Sequence, residues 1–103
     1  MKYFIKHERF YAQFPGTLEA LRRAEEDPEF VAYLDSYLLT QNKAKELGYG
    51  DPLPRGGKTT VSAWMGNHYC GEAVAYCSTR ENFCKRLGRT IAYGRLRKSL
   101  QLV

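Results

Sequence analysis

The spacing of apolar positions along this chain changes twice, and the changes mark its elements. Near the start, Tyr3, Phe4, His7, Phe10, Tyr11 and Phe14 recur at three- and four-residue intervals. That spacing predicts a helix over 2–14, although Tyr3-Phe4-Ile5 equally suits the start of a strand. Pro15-Gly16 ends the segment, and Thr17 is placed to cap a short helix over 18–26 with Leu18 and Leu21 on one face. Asp27-Pro28-Glu29 then reads as a helix start, with Asp as the cap and Pro at the first helical position. The helix is predicted to run to Leu47 and stop at Gly48, with Phe30, Val31, Leu34, Tyr37 and Leu38 as its core stripe and Tyr33 at the margin.

Beyond residue 47 the pattern becomes irregular and then β-like. Residues 48–57 hold two prolines and four glycines and read as a mobile connecting loop. Lys58–Met65 is rich in β-branched and aromatic residues, and Ala73–Cys77 is a second such run. The two predict an antiparallel hairpin over 58–78 with its turn or bulge within 66–71; Thr59, Val61, Ala63 and Met65 alternate with Thr60, Ser62 and Trp64, so one face is expected to be buried. Ser78-Thr79-Arg80-Glu81 has the form of a capping box and predicts a helix over 79–99. Gly88 and Gly94 weaken that helix, which points to close packing at both.

Wound at 100° per residue, the last helix gathers Lys85, Arg86, Arg89, Tyr93 and Arg97 into an arc of about 120°. Phe83, Cys84, Leu87 and Ile91 fall opposite and are expected to form its dry stripe. Gly88 and Ala92 lie to one side, where a second backbone, of this chain or of another copy, has room to approach.

Charge sharpens this picture. The net charge is +5, and residues 80–98 hold seven basic side chains against one acidic, whereas residues 17–54 hold four basic and eight acidic. A localised excess of this kind implies an anionic partner. Five of the seven cations in the segment are arginines, which suit bidentate phosphate contacts. The candidate binding residues are therefore Lys85, Arg86, Arg89, Tyr93 and Arg97, flanked by Arg95 and Lys98, with Arg55 and Lys58 adding anion contacts from the loop and its end.

Other chemistry finds little support. The three cysteines, Cys70, Cys77 and Cys84, have no zinc-site spacing and are expected to be small buried apolar residues. Gly56-Gly57-Lys58-Thr59-Thr60 lacks the earlier glycine of a phosphate-binding loop and precedes a β-run instead of a helix. His7 and His68 neighbour no nucleophile and acid in a recognisable order. No catalytic residue, metal, cofactor or small-molecule substrate is expected. Apolar runs such as Ala73–Cys77 fall far short of the roughly 20 residues of a membrane span. The opening residues are too short an apolar stretch for a secretion signal. With 103 residues, 44% of them hydrophobic, the chain is expected to form a single α+β domain: N-terminal helices over 1–47, a loop, a hairpin and a long amphipathic basic helix.

Within Gly71–Arg95, the residues Cys77-Ser78, Phe83, Lys85, Gly88-Arg89, Ile91-Ala92 and Gly94-Arg95 follow a pattern. It resembles the C-terminal strand–helix segment of small accessory proteins of phages and integrated mobile elements. The resemblance implies a protein acting in the cytoplasm of a bacterial host, engaging nucleic acid or a nucleoprotein effector, and inhibiting a defence complex in the manner of CRISPR–Cas inhibitors. Two other expectations stand beside it: a non-specific DNA- or RNA-binding or regulatory protein, and a purely structural homodimer joined through the Gly88/Ala92 side.

Overall fold

The structure, a computed structural model, describes residues 1–13, 15–27, 29 and 34–101. Along the chain run β1 (Lys2–Phe10), α1 (Thr17–Glu26), β2 (Leu38–Leu39), α2 (Gln41–Glu46), β3 (Gly57–Met65), β4 (His68–Cys77) and α3 (Lys85–Gln101). The class is α+β, with an antiparallel sheet in the order β2-β1-β3-β4. Two compact units divide the chain.

The first unit contains Met1–His7, Lys58–Tyr76 and the chain from Cys84 onward. Its core is Val61, Ala63, Ala75, Ala92 and Leu96, with Cys70, Ala73 and Leu100 packed against them. The hairpin forms as predicted, turning at Gly66-Asn67, where only the glycine has positive φ. The buried face is the one with Thr59, Val61 and Ala63, while Met65 of the same set is exposed at the strand end.

The helical face that packs is not the one its large apolar residues suggest. Leu87 is 58% exposed, Ile91 38% exposed and Cys84 exposed, while Ala92 is fully buried and Leu96 is 1% exposed. The dry row is Gly88, Ala92, Leu96 and Leu100, spaced by four. A Cβ on Gly88 would overlap the Thr59 hydroxyl, so the helix touches β3 there. Small side chains admit the close approach, and burying Leu87 in their place would force the two backbones apart. The side reserved for a second copy is thus occupied by the chain's own strand. Gly94, by contrast, has nothing near a Cβ.

The helix also begins later than 79. Ser78 Oγ accepts from the Arg80 N–H (3.1 Å) and the Ser78 carbonyl from the Glu81 N–H (3.0 Å), which makes a turn. Cys84 caps α3 instead: its carbonyl accepts from the Gly88 N–H at 2.9 Å and its sulfur from the Leu87 N–H at 3.5 Å.

The second unit, Glu8–Gly57 and Cys77–Phe83, is built on Phe10, Leu21, Ala24, Leu34, Tyr37 and Leu38. α1 lies where expected, but Gly16 is its N-cap, and the Thr17 hydroxyl accepts from the Gln13 N–H at 3.2 Å. The long helix to Leu47 is broken. Leu38 and Leu39 pair with Phe10 and Arg9 as β2, and Thr40 then caps α2 by accepting from the Lys43 N–H. Gly48 does end α2, with the Tyr49 N–H on the Ala44 carbonyl and the Gly48 N–H on that of Lys45. Phe14, Pro28, Phe30, Val31 and Tyr33 lie outside the described residues.

The loop over 48–57 is anchored. Arg9 donates from Nε to the Gly56 carbonyl and from Nη2 to the Leu53 carbonyl, both at 3.0 Å, with its guanidinium 4.8 Å from the Phe83 ring centre. Strand β1 replaces the helix predicted over 2–14. Its even and odd residues serve different faces of the sheet, which clustered aromatics at three- and four-residue spacing conceal.

The two glycines of α3 give a paired test. Gly94→Ala is expected to stabilise the protein by about 1 kcal/mol through helix propensity. Gly88→Ala is expected to destabilise it by about 1–3 kcal/mol through overpacking against Thr59. Thermal melts of both variants decide the matter, and a stabilised Gly88→Ala contradicts the packing described.

Candidate functional site

In the first unit, strand alternation turns Tyr3, Ile5 and His7 toward α3. The Tyr3 ring meets Tyr93 edge-to-face at 4.9 Å, and His7 Nδ1 lies 2.9 Å from the Thr59 hydroxyl. Between the strand and the helix is a groove of about 480 Å³ lined by Tyr3, Ile5, Val61, Arg89, Tyr93 and Arg97, among others. Arg89 and Arg97 stand two turns apart, about 12 Å along the axis. The Arg97 guanidinium lies 5.8 Å from the Tyr93 ring centre, so Tyr93 is held between an aromatic edge and a cation.

The predicted binding residues divide by what holds them. Lys85, Arg86, Arg89, Arg97 and Lys98 are exposed, and Tyr93 is at the margin of exposure. Lys85 and Arg86 occupy the first turn of α3, which carries no acidic residue. Cations there oppose the helix dipole, at a cost of about 0.3–1 kcal/mol each, and a bound anion relieves it. Arg95 is engaged otherwise: its Nη1 donates to the Val74 carbonyl at 2.8 Å and ties the helix to β4. Lys58 is half-buried on β3. Arg55 belongs to the second unit, where its Nη1 donates to the Arg80 carbonyl at 3.2 Å. Arg80, part of the basic segment, pairs with Glu26 at 2.9 Å.

The cysteines are less uniform than expected. Cys84 is exposed, whereas Cys70 and Cys77 are half-buried and all three are free. Burial, followed by the Glu81 carboxylate, raises the Cys77 thiol, which donates weakly to the carbonyls of Ser78, Glu81 and Asn82. Among the described residues no group of three His, Cys, Asp or Glu is placed to hold a metal, and no helix is long and apolar enough to cross a membrane.

Two features escaped the sequence reading. His7 sits beside the basic first turn of α3, and aromatic residues collect on the sheet face that α3 does not cover, where Phe4 and Trp64 meet at 6.4 Å and Trp64 and Tyr69 at 5.3 Å. Period-two alternation within 2–10 would have signalled both. Comparison with protein-family models, curated proteins and solved structures finds no match to this chain.

His7 supplies a pH readout of the basic turn. Burial first, then the positive charges of Lys85 and Arg89, lower its pKa below the ordinary 6.5. The unfolded chain therefore binds more protons between the depressed value and 6.5. Stability conferred by His7 is complete above that window and is lost as pH falls through it. Melting temperature at low salt is expected to fall between about pH 7 and pH 5, and to fall less in a His7→Gln variant. An identical slope in the two proteins contradicts the assignment.

Proposed function

We propose that this protein binds nucleic acid, gripping the phosphate backbone along the α3 groove, and that its activity is binding without bond chemistry. The observation that carries the reading is the convergence of Arg89 and Arg97 on one groove, with Lys85 and Arg86 exposed at the positive end of the same helix. Arginine forks suit phosphate oxygens, and the exposed positions leave their donors open to a ligand. Tyr93 and Tyr3 give the groove an apolar wall against which a sugar can lie. Arg95, Arg55 and Lys58 contribute through the fold or the general field more than through direct contact.

The resemblance of Gly71–Arg95 to mobile-element accessory proteins supports a more specific setting, inhibition of a host nucleoprotein such as a CRISPR–Cas effector. In that setting the same cations would meet guide RNA or target DNA.

Salt dependence tests the reading. Fluorescence anisotropy with a labelled duplex is expected to give a log–log salt slope of about −3 to −4, one phosphate for each of Lys85, Arg86, Arg89 and Arg97. Replacing Arg89 and Arg97 together by Ala should reduce that slope by about 2 and weaken binding at least tenfold at moderate salt. Binding that is indifferent to salt, or unchanged in the double variant, removes the groove from the account.

A further inference from the structure

The sheet face turned away from α3 departs from the usual pattern. An antiparallel sheet with one side in water ordinarily carries polar residues there. Here Phe4 is 57% exposed and Tyr69 47% exposed, with the indole of Trp64 between them. The rings meet edge-to-face, at 90° for Phe4 with Trp64 and 67° for Trp64 with Tyr69. Trp64 Nε1 already donates to the Ser62 hydroxyl at 3.2 Å, so the indole needs no ligand for its N–H and offers its π-surface. Beside it lies an open depression of about 460 Å³ lined by Phe4, Ser62, Trp64, Gly66 and Asn67, whose hydroxyl and amide can hydrogen-bond the edge of a planar ring.

We infer that Phe4, Trp64 and Tyr69 form a stacking platform for the unpaired bases of a single-stranded nucleic acid. Cross-strand aromatic pairing alone stabilises a hairpin only modestly and does not require rings left half in water. Charge selects the occupant. By alternation Lys2, Lys6 and Glu8 share the face of Phe4 on β1, and Lys58 that of Trp64 on β3, with Glu72 near Tyr69, so lysines outnumber carboxylates three to two. Exposed aromatic rings among lysines match a flexible polyanion with exposed π-faces, and a duplex keeps those faces stacked inside itself. The inference rests on the reading of the chain as a nucleic-acid binder, but not on the α3 groove.

Trp64 is the only tryptophan, so its fluorescence reports on the platform alone. An oligothymidylate of about 15 nucleotides is expected to quench it saturably, and the corresponding duplex is not. In anisotropy with the labelled single strand, Phe4→Ala and Tyr69→Ala should each weaken binding about tenfold, while Tyr69→Phe retains it. Both losses are read in variants that keep the parent melting temperature and duplex affinity; Phe4→Leu, which keeps an apolar side chain without the ring, replaces Phe4→Ala if that variant does not fold. Salt-dependent binding of the single strand with no change in Trp64 fluorescence and no loss in the ring variants overturns the platform and leaves the groove standing. Full binding by the Arg89→Ala/Arg97→Ala protein, with quenching intact, removes the groove and keeps the platform. Quenching by a neutral oligosaccharide as strong as by the oligonucleotide overturns the platform. No binding of either nucleic acid removes both.

Discussion

The groove proposed for the first unit depends on the contact between Gly88 of α3 and Thr59 of β3. A helix can lie on a sheet at many rotations about its own axis, and the rotation decides which side chains reach water. With no Cβ at Gly88 the backbone of α3 comes down onto the Thr59 side chain, and Ala92 and Leu96 follow along the same row onto Val61 and Ala63. Once that row is fixed inward, Arg89, Tyr93 and Arg97 fall at the margin facing β1, and Leu87 and Ile91 are turned out. Thr59 is also the partner of His7, so one buried hydroxyl links the helix, the strand under it and the histidine beside the basic turn.

The sheet of the first unit thus carries a different kind of surface on each side. On the covered side of the sheet the helix supplies charge, in the form of guanidinium groups around an aromatic-walled groove. On the other side the strands supply ring surface flanked by lysines. Phosphate contacts are long-ranged and indifferent to sequence, whereas stacking is short-ranged and needs an exposed base. On the proposed reading, a chain carrying both suits polymers whose backbone and bases are both accessible.

Much of this was legible in the residues, and the failures have physical causes. The hairpin was plain because β-branched residues run up to a Gly-Asn turn, a local signal that no distant contact overrides. The existence of α3 was plain as well, but its start was not. Thr79 is fully buried, and Glu25 of α1 takes its backbone N–H and hydroxyl, so a capping sequence was diverted into a turn by a partner 54 residues away. The long helix through Leu38 failed for a similar reason: two leucines gain a strand partner in β1 that helical spacing cannot reveal. Side-chain size is a poor guide to the rotation of α3. Close packing favoured the small residues, and two large ones were left in water. Arg9 gave no local signal, since its partners are carbonyls more than 40 residues on.

The seating of α3 can be observed directly by NMR. Nuclear Overhauser contacts are expected from the Gly88 α-protons to the Thr59 side chain and from the Leu96 methyls to Gly71, with Leu87 and Ile91 methyls showing none to Val61 or Ala63. Contacts from Leu87 and Ile91 into Val61 and Ala63, with Gly88 silent, would mean that the helix is rotated by about 100°. The arginine-lined groove would then not exist.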